Sequence, residues 1–395
     1  MSEHDVELKP SRPAIWNDPK FRALFFQILL VVALGYFVYD IVNNMLNNME
    51  SRGISTGFAF LSEPAGFGIL QSLISFDESD TYGRTFVVGL LNTLLVSGLG
   101  ILFTTILGFI MGVARLSHNW VIAKLATVYI EIFRNIPLLL QIFFWYFAVL
   151  GALPGVRQSM SLGAGIQFNN RGLYLPSPVP EDGFSIVVWM FLIGIVGSIV
   201  LYRWAHKRQD ETGQQFPVFW STLGLVIGLP LIVFLLMGSP LTWDMPELKG
   251  FNFKGGVTII PELLSLLLAL TIYTGTYVAE TVRAGINAVS HGQTEASLAL
   301  GFTRGQTMRL IIIPQAMRVI IPPLTSQYLN LVKNSSLATA VGYPDIVSVF
   351  MGTTLNQTGQ AVEITMMTMG VYLTVSLGIS MFMNWFNKRM ALVER

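Results

Sequence analysis

Two carboxylate and guanidinium pairs interrupt long apolar stretches of this 395-residue chain: Glu131 with Arg134, and Glu280 with Arg283. A spacing of three places each pair on one helix face. Ionisable groups in such surroundings mark function by default, here a gate or a link in a permeation path; a self-neutralising structural pair is the plainer reading. A second group, Gln327, Asn330, Lys333, Asn334, Ser335 and Ser336, offers donors and acceptors suited to a zwitterionic solute, with the Lys333 ammonium matched to an α-carboxylate. Asn92, Thr93, Tyr273 and Tyr277 are secondary candidates, since tyrosine near a span end also marks a membrane interface. Ser and Asn also join helices in lipid, which is the competing reading for the whole second group.

The third polar group is the island from Gln293 to Pro314, QTEASLALGFTRGQTMRLIIIP. Ser290 with Gln293, and Thr303 with Gln306, have capping-box spacing, and Gly301 suits a left-handed helix stop. Pro314 cannot continue a helix interior. The pattern predicts two short helices hinged at Gly301, the second returning toward the apolar chain. Glu295 and Arg304 mixed with Ala296, Leu298 and Leu300 suit docking into a groove of a soluble partner; a helix lying on lipid is the alternative.

Catalytic chemistry is absent from the motifs. There is no G-x-x-x-x-G-K-[ST] phosphate loop and no H-E-x-x-H, and the four histidines, His4, His118, His206 and His291, are scattered. Zero cysteines exclude disulfides and thiolate metal sites. We expect no metal site, no enzyme active site and, at a net charge of +1, no nucleic-acid partner.

The elements that position these groups follow from composition. With 52% hydrophobic and 12% charged residues and a mean hydropathy of +0.59, the chain reads as an all-α polytopic membrane protein in contact with lipid. Eight stretches reach the length a bilayer requires: 21–42, 86–113, 122–150, 184–204, 217–238, 258–285, 316–340 and 364–387. The seventh is the weakest, because Pro322 and Pro323 are expected to break it into two half-segments. With both termini cytoplasmic, 16 of the 24 Lys and Arg fall in inner segments and six in outer loops, so the positive-inside rule sets that orientation and puts the island in the cytoplasm. Residues 1–20 read as a flexible arm, 21–42 as a first helix retained in the mature protein, and 43–85 and 151–183 as irregular outer loops rich in Pro and Gly.

Glu295, Ala296, Ser297, Gly301, Ile311, Ile313 and Pro314 resemble the EAA-x3-G-x9-I-x-L-P motif of binding-protein-dependent ABC importer permeases, with Ser297 and Ile313 as mild departures. Glu131, Arg134, Pro137, Leu138 and Gln141, reading E-x-x-R-x-x-P-L-x-x-Q, are similar to the polar amino-acid permease group, the histidine, glutamine, arginine and glutamate type. AETVRAGI (279–286) and KNSSL (333–337) look like segments of the same group. The likeness covers roughly 84–388, with an inserted segment and helical hairpin at 151–256, as in the long permeases of general L-amino-acid transporters.

The resemblance implies a type I ABC importer transmembrane domain in the bacterial inner membrane. It makes 289–315 the coupling helices, with Glu295, Ala296, Ser297, Leu298, Leu300, Gly301 and Pro314 contacting a separate ABC ATPase that binds ATP and Mg. It also implies a periplasmic amino-acid-binding protein, polar L-amino acids as cargo and a second, nonidentical permease. Two rivals remain from the sequence: an ion-gradient-driven secondary carrier, which would want carboxylates near the bilayer midplane, and a nontransporting scaffold that docks a cytoplasmic partner.

Overall fold

The computed structural model describes Trp16, residues 18–51, Gly53 and residues 56–390. Most of the expected arm over 1–20, together with Arg52 and Arg395, lies outside the described residues. Among those described, seven helices are long and apolar enough to cross a membrane, or eight if one bent pair is a single span. They are α1 (Pro19–Ser51), α2 (Tyr82–Arg115), α5 (Phe184–Thr212), α6 (Val218–Leu236), α7 (Pro261–Asn287), α9 (Arg304–Val341) and α11 (Ala361–Met390). The bent pair is α3 (Trp120–Asn135) and α4 (Leu138–Leu150), which meet at 105°. Short α8 (His291–Ala299) precedes α9, and α10 (Val347–Thr354, continued by Leu355–Thr358) precedes α11.

The break therefore falls in the third span, and the seventh runs on through Pro322 and Pro323, against expectation. Local hydrogen bonding explains both. Ile136 and Pro137 adopt extended backbone, as the residue before a proline prefers. The amide of Gln141, itself buried, then donates to the carbonyls of Phe133 (2.8 Å) and Ile136 (2.9 Å), two of the acceptors that the ended helix leaves free. Pro322 and Pro323 are exposed on one side of a helix whose opposite face is anchored by buried Ile320, Ile321 and Leu324. Packing holds that helix through the missing donors, a tolerance common in membrane helices.

At the centre, α7 is buried on most of its circumference and packs along α2. Small residues permit the approach. A Cβ on Gly112 would lie 2.6 Å from the Ala279 carbonyl and 2.8 Å from Val282, and one on Gly108 would collide with Val278. Further along the same face of α7, Gly285 admits Ile320 of α9. By contrast α1 exposes nearly all its apolar side chains and buries only Met49, as expected of a helix bathed in lipid or awaiting a partner.

The segments beside the inserted hairpin are not irregular. They form β1 (Met160–Gly163), β2 (Ile166–Asn169), β3 (Gly172–Leu175), β4 (Ser177–Pro180), β5 (Leu241–Asp244), β6 (Glu247–Lys249), β7 (Asn252–Lys254) and β8 (Val257–Ile259). Order β1-β2-β3-β8 makes one antiparallel sheet, and β4-β5 and β6-β7 make two ribbons. Ala164 (φ 50°) and Gly165 (φ 78°) supply the left-handed pair that closes a tight hairpin between β1 and β2. The segments on either side of the inserted hairpin thus meet as a β cap on an otherwise helical chain. Within the inserted hairpin, α5 and α6 touch where Gly194 meets the Leu225 backbone.

Because Gly112 has no room for a side chain, Gly112→Leu should lower the thermal stability of the detergent-purified protein by about 1–3 kcal/mol or more. Gly98, with open space around it, is the control: Gly98→Leu should leave the melting curve in place. Equal effects at both positions would show that the α2 and α7 contact does not limit stability.

Candidate functional site

Three clusters lie on the buried helices. The first is a cavity of about 290 Å³ between α7 and α9, lined by Tyr273, Thr274, Tyr277, Gln327, Asn330, Lys333 and Asn334. Helical spacing puts Gln327, Asn330, Lys333 and Asn334 on one face of α9. Tyr273 and Tyr277, four apart on α7, form the facing wall with hydroxyls 3.1 Å apart. Asn330 and Lys333 are exposed, so the cleft opens away from α7. No carboxylate lies within ion-pair distance of Lys333 among the described residues.

Other residues of the polar string do not enter the cleft lining. Ser335 is fully buried and donates to the Val332 carbonyl (2.7 Å), and Ser336 donates to Lys333 O (2.8 Å). Asn92 is buried too, and its amide joins the Gln71 and Pro344 carbonyls at 2.8 and 2.9 Å. Thr93 accepts from Ile346 N at 3.0 Å. Both therefore fasten the segment before α10 to α2. Thr274 was not singled out by sequence; its hydroxyl is buried against the cleft without a hydrogen-bond partner among the described residues. Its position beside Tyr273 was the available signal.

The second cluster joins the two acid and base pairs. Glu280 accepts from Arg283 Nε at 3.0 Å, and Glu131 lies 3.7 Å from Arg134. Arg115, at the end of α2, reaches both: Nη1 to Glu280 Oε2 at 2.6 Å and Nη2 to Glu131 Oε1 at 3.4 Å. One network of three arginines and two glutamates thus ties α2, α3 and α7. The side chains of Arg115 and Glu280 are only 20% and 28% exposed, which limits solvent screening. Sequence spacing showed the two local pairs, whereas Arg115 is 165 residues from Glu280 and no local pattern joins them.

The third cluster is the island. Thr303 and Gln306 form the expected capping box. The expected box at Ser290 does not form: the Gln293 N–H donates to the Ser290 carbonyl (3.0 Å) and not to its hydroxyl, and the Gln293 side chain accepts from Gln315 (3.2 Å). Gly301 takes φ +84° and Phe302 N bonds back to Ser297 O, closing the turn between α8 and α9. The helix does continue through Pro314, against expectation. A wider π turn over Met308–Ile312 precedes it, so Pro314 falls in the first turn of the following α segment, where no donor is required. Ser297 is buried and its hydroxyl meets that of Thr307 at 2.9 Å, clipping α8 to α9. Glu295, Ala296, Leu298 and Leu300 remain exposed, Leu300 to 77%. Such a face with a mixed charged and apolar surface suits a protein partner.

If the five ionic groups act as a unit, Arg115→Gln should destabilise the purified protein by about 1–3 kcal/mol. Combined with Glu131→Gln it should cost less than the sum of the two singles. Additive shifts in a thermal-melt double-mutant cycle would show two independent pairs.

Similarity to known proteins bears on all three clusters. The chain is 57% identical over 378 residues to a putative amino-acid ABC transporter permease of Escherichia coli, YhdX, with 96% of each chain covered. It is 51% identical over 401 residues to the general L-amino acid transport system permease AapQ of Rhizobium johnstonii, covering both chains fully. The glutamate/glutamine/aspartate/asparagine transport system permease BztB of Rhodobacter capsulatus is 41% identical over 409 residues, at 96% of each chain. Residues 104–392 match the family described as binding-protein-dependent transport system inner membrane component, which removes the secondary-carrier reading. The chain belongs to that family and is a multi-pass inner-membrane permease.

Proposed function

We propose that this chain is one permease subunit of an ATP-driven importer of polar L-amino acids, with both termini cytoplasmic. A separate ABC ATPase, binding ATP and Mg, docks on α8 and the start of α9, a periplasmic amino-acid-binding protein delivers the solute, and a second, nonidentical permease completes the path. The relatives named for general L-amino acids and for glutamate, glutamine, aspartate and asparagine support the cargo class.

One observation carries the mechanism: the docking surface and the polar cleft share a single helix. From Arg304 the helical run of α9 reaches Lys333 without a break in helical backbone. At 1.5 Å per residue the two are about 40 Å apart. A shift of the ATPase beneath α8 therefore displaces the wall of the cleft directly. ATP-bound partners would favour one facing of the cleft and hydrolysis the other, each through its differential affinity for the two states. In the cleft, Lys333 meets the α-carboxylate, while the amide oxygens of Gln327 and Asn330 and the tyrosine hydroxyls accept from the ammonium. Since the cleft is open on one side, the second permease supplies its remaining wall. A nontransporting scaffold would explain the exposed α8 but leave this polar cleft without a purpose.

Proteoliposomes holding this chain with its ATPase, partner permease and binding protein should take up labelled amino acids only when ATP is present. Uptake indifferent to ATP would overturn the assignment. Glu295→Lys and Gly301→Pro should each abolish uptake and leave membrane insertion normal; full uptake in both would remove the docking role of α8. Lys333→Met should raise the half-saturating concentration for uptake about tenfold or more, the loss of one charge-assisted contact. An unchanged value would move the solute's carboxylate elsewhere.

A further inference from the structure

We propose that the β cap is the seat of the solute-binding protein, which enters a carboxylate side chain of its own between Arg157 and Arg171. The proposal rests on the importer reading and adds to it the place and chemistry of a contact.

Position comes first. Strand β8 runs directly into α7, and α8 follows the other end of that helix. Twenty-seven helical residues separate the two ends, about 40 Å. The cap therefore stands at the end of the molecule opposite the ATPase-docking surface. It is also tied to the core. Leu173 and Tyr174 pair with Ile259 and Thr258, Tyr174 donates to Asn252 (2.8 Å), and Asp244 accepts from Gly256 N (2.9 Å). A load placed on the cap reaches the first turn of α7 through β8.

A cleft of about 370 Å³ opens on this platform, lined in part by Gly155, Arg157, Gln158, Asn170, Arg171 and Phe251. Phe251, 78% exposed at the β6 and β7 turn, organises both arginines. The Arg157 guanidinium lies 5.6 Å from its ring centroid, and Arg171 Nη1 donates to its carbonyl at 3.1 Å. Among the described residues neither arginine has an ion-pair partner. The two acids on the cap strands are engaged elsewhere: Glu247 pairs with Lys249 at 3.2 Å and Asp244 holds the Gly256 turn. Two guanidinium groups with free N–H donors and no internal counter-charge form a carboxylate receptor.

The surroundings favour a protein carboxylate over a free amino acid. For a zwitterion's ammonium the cleft lining offers only the side-chain amide oxygens of Gln158 and Asn170, fewer acceptors than the cleft between α7 and α9 provides. Exposed Phe251, Trp243 and Met245 on the cap, beside arginine, are instead the residue types that dominate protein interfaces.

The test uses the assembled transporter in lipid nanodiscs, titrated with the binding protein while ATP hydrolysis is followed. Arg157→Glu with Arg171→Glu should raise the half-stimulating concentration about tenfold or more, with basal hydrolysis and the plateau at saturation unchanged. Phe251→Ala, which removes the ring beside Arg157 but keeps the carbonyl that holds Arg171 and leaves the charge unchanged, should give a smaller shift in the same direction. Added salt should weaken stimulation of the wild type more than that of the double variant. Identical half-stimulating concentrations in wild type and double variant overturn the proposal while leaving the importer reading intact. Stimulation of the wild type by excess free L-glutamate without binding protein, lost in the double variant, overturns it in favour of a free amino-acid site. A wild type unmoved by any concentration of binding protein overturns the importer reading and the docking site together.

Discussion

The close approach of α2 and α7 at Gly108 and Gly112 is the constraint on which the other arrangements depend. Three residues beyond Gly112, Arg115 is brought to the level of Glu280, the residue after Ala279 in the contact. A wider crossing would lengthen the 2.6 Å bond between them and split the network into two local pairs. With α2 occupying one side of α7, Tyr273 and Tyr277 are left to face α9. The ionic network and the polar cleft are thus set by one packing decision made with hydrogen atoms in place of side chains.

The motif from Glu131 to Gln141 acquires a physical meaning in the same frame. Glu131 and Arg134 belong to the network, Pro137 ends α3, Leu138 starts α4 as a buried residue, and Gln141 satisfies carbonyls released at the break. Pro137, Leu138 and Gln141 thus shape one 105° corner, and Glu131 and Arg134 fasten the helix that leads into it. That corner turns α4 across α7, where Leu138 and Ile142 join the core of Leu263, Leu266 and Leu270.

The features legible in the sequence were those written in local periodicity. Apolar runs located the helices, capping spacing and Gly301 located the turn between α8 and α9, and the i, i+3, i+6 spacing of Gln327, Asn330 and Lys333 described one face of a helix. Features that depend on long-range pairing were not legible. Arg115 read only as a positive charge at a span end. Ser335 and Asn92 read as free polar groups, although burial and nearby carbonyls engage them. Strands of three or four residues carry too little alternation to register against Pro- and Gly-rich surroundings, so the β cap was read as loop. The prolines were weighed by type alone. Whether a proline breaks a span depends on extended backbone before it and on what satisfies the released carbonyls, and only Pro137 had both.

The prolines inside α9 have a mechanical consequence. Without amide hydrogens at Pro322 and Pro323, the carbonyls four residues earlier, at Arg318 and Val319, lack their helical donors. Flexing the rod at that level breaks fewer bonds than flexing it anywhere else along its length. The compliant level lies between Arg304 and Lys333, so a thrust at the base arrives at the far arm as a pivot. A helix built this way exchanges linear stroke for angular swing, much as a crank does.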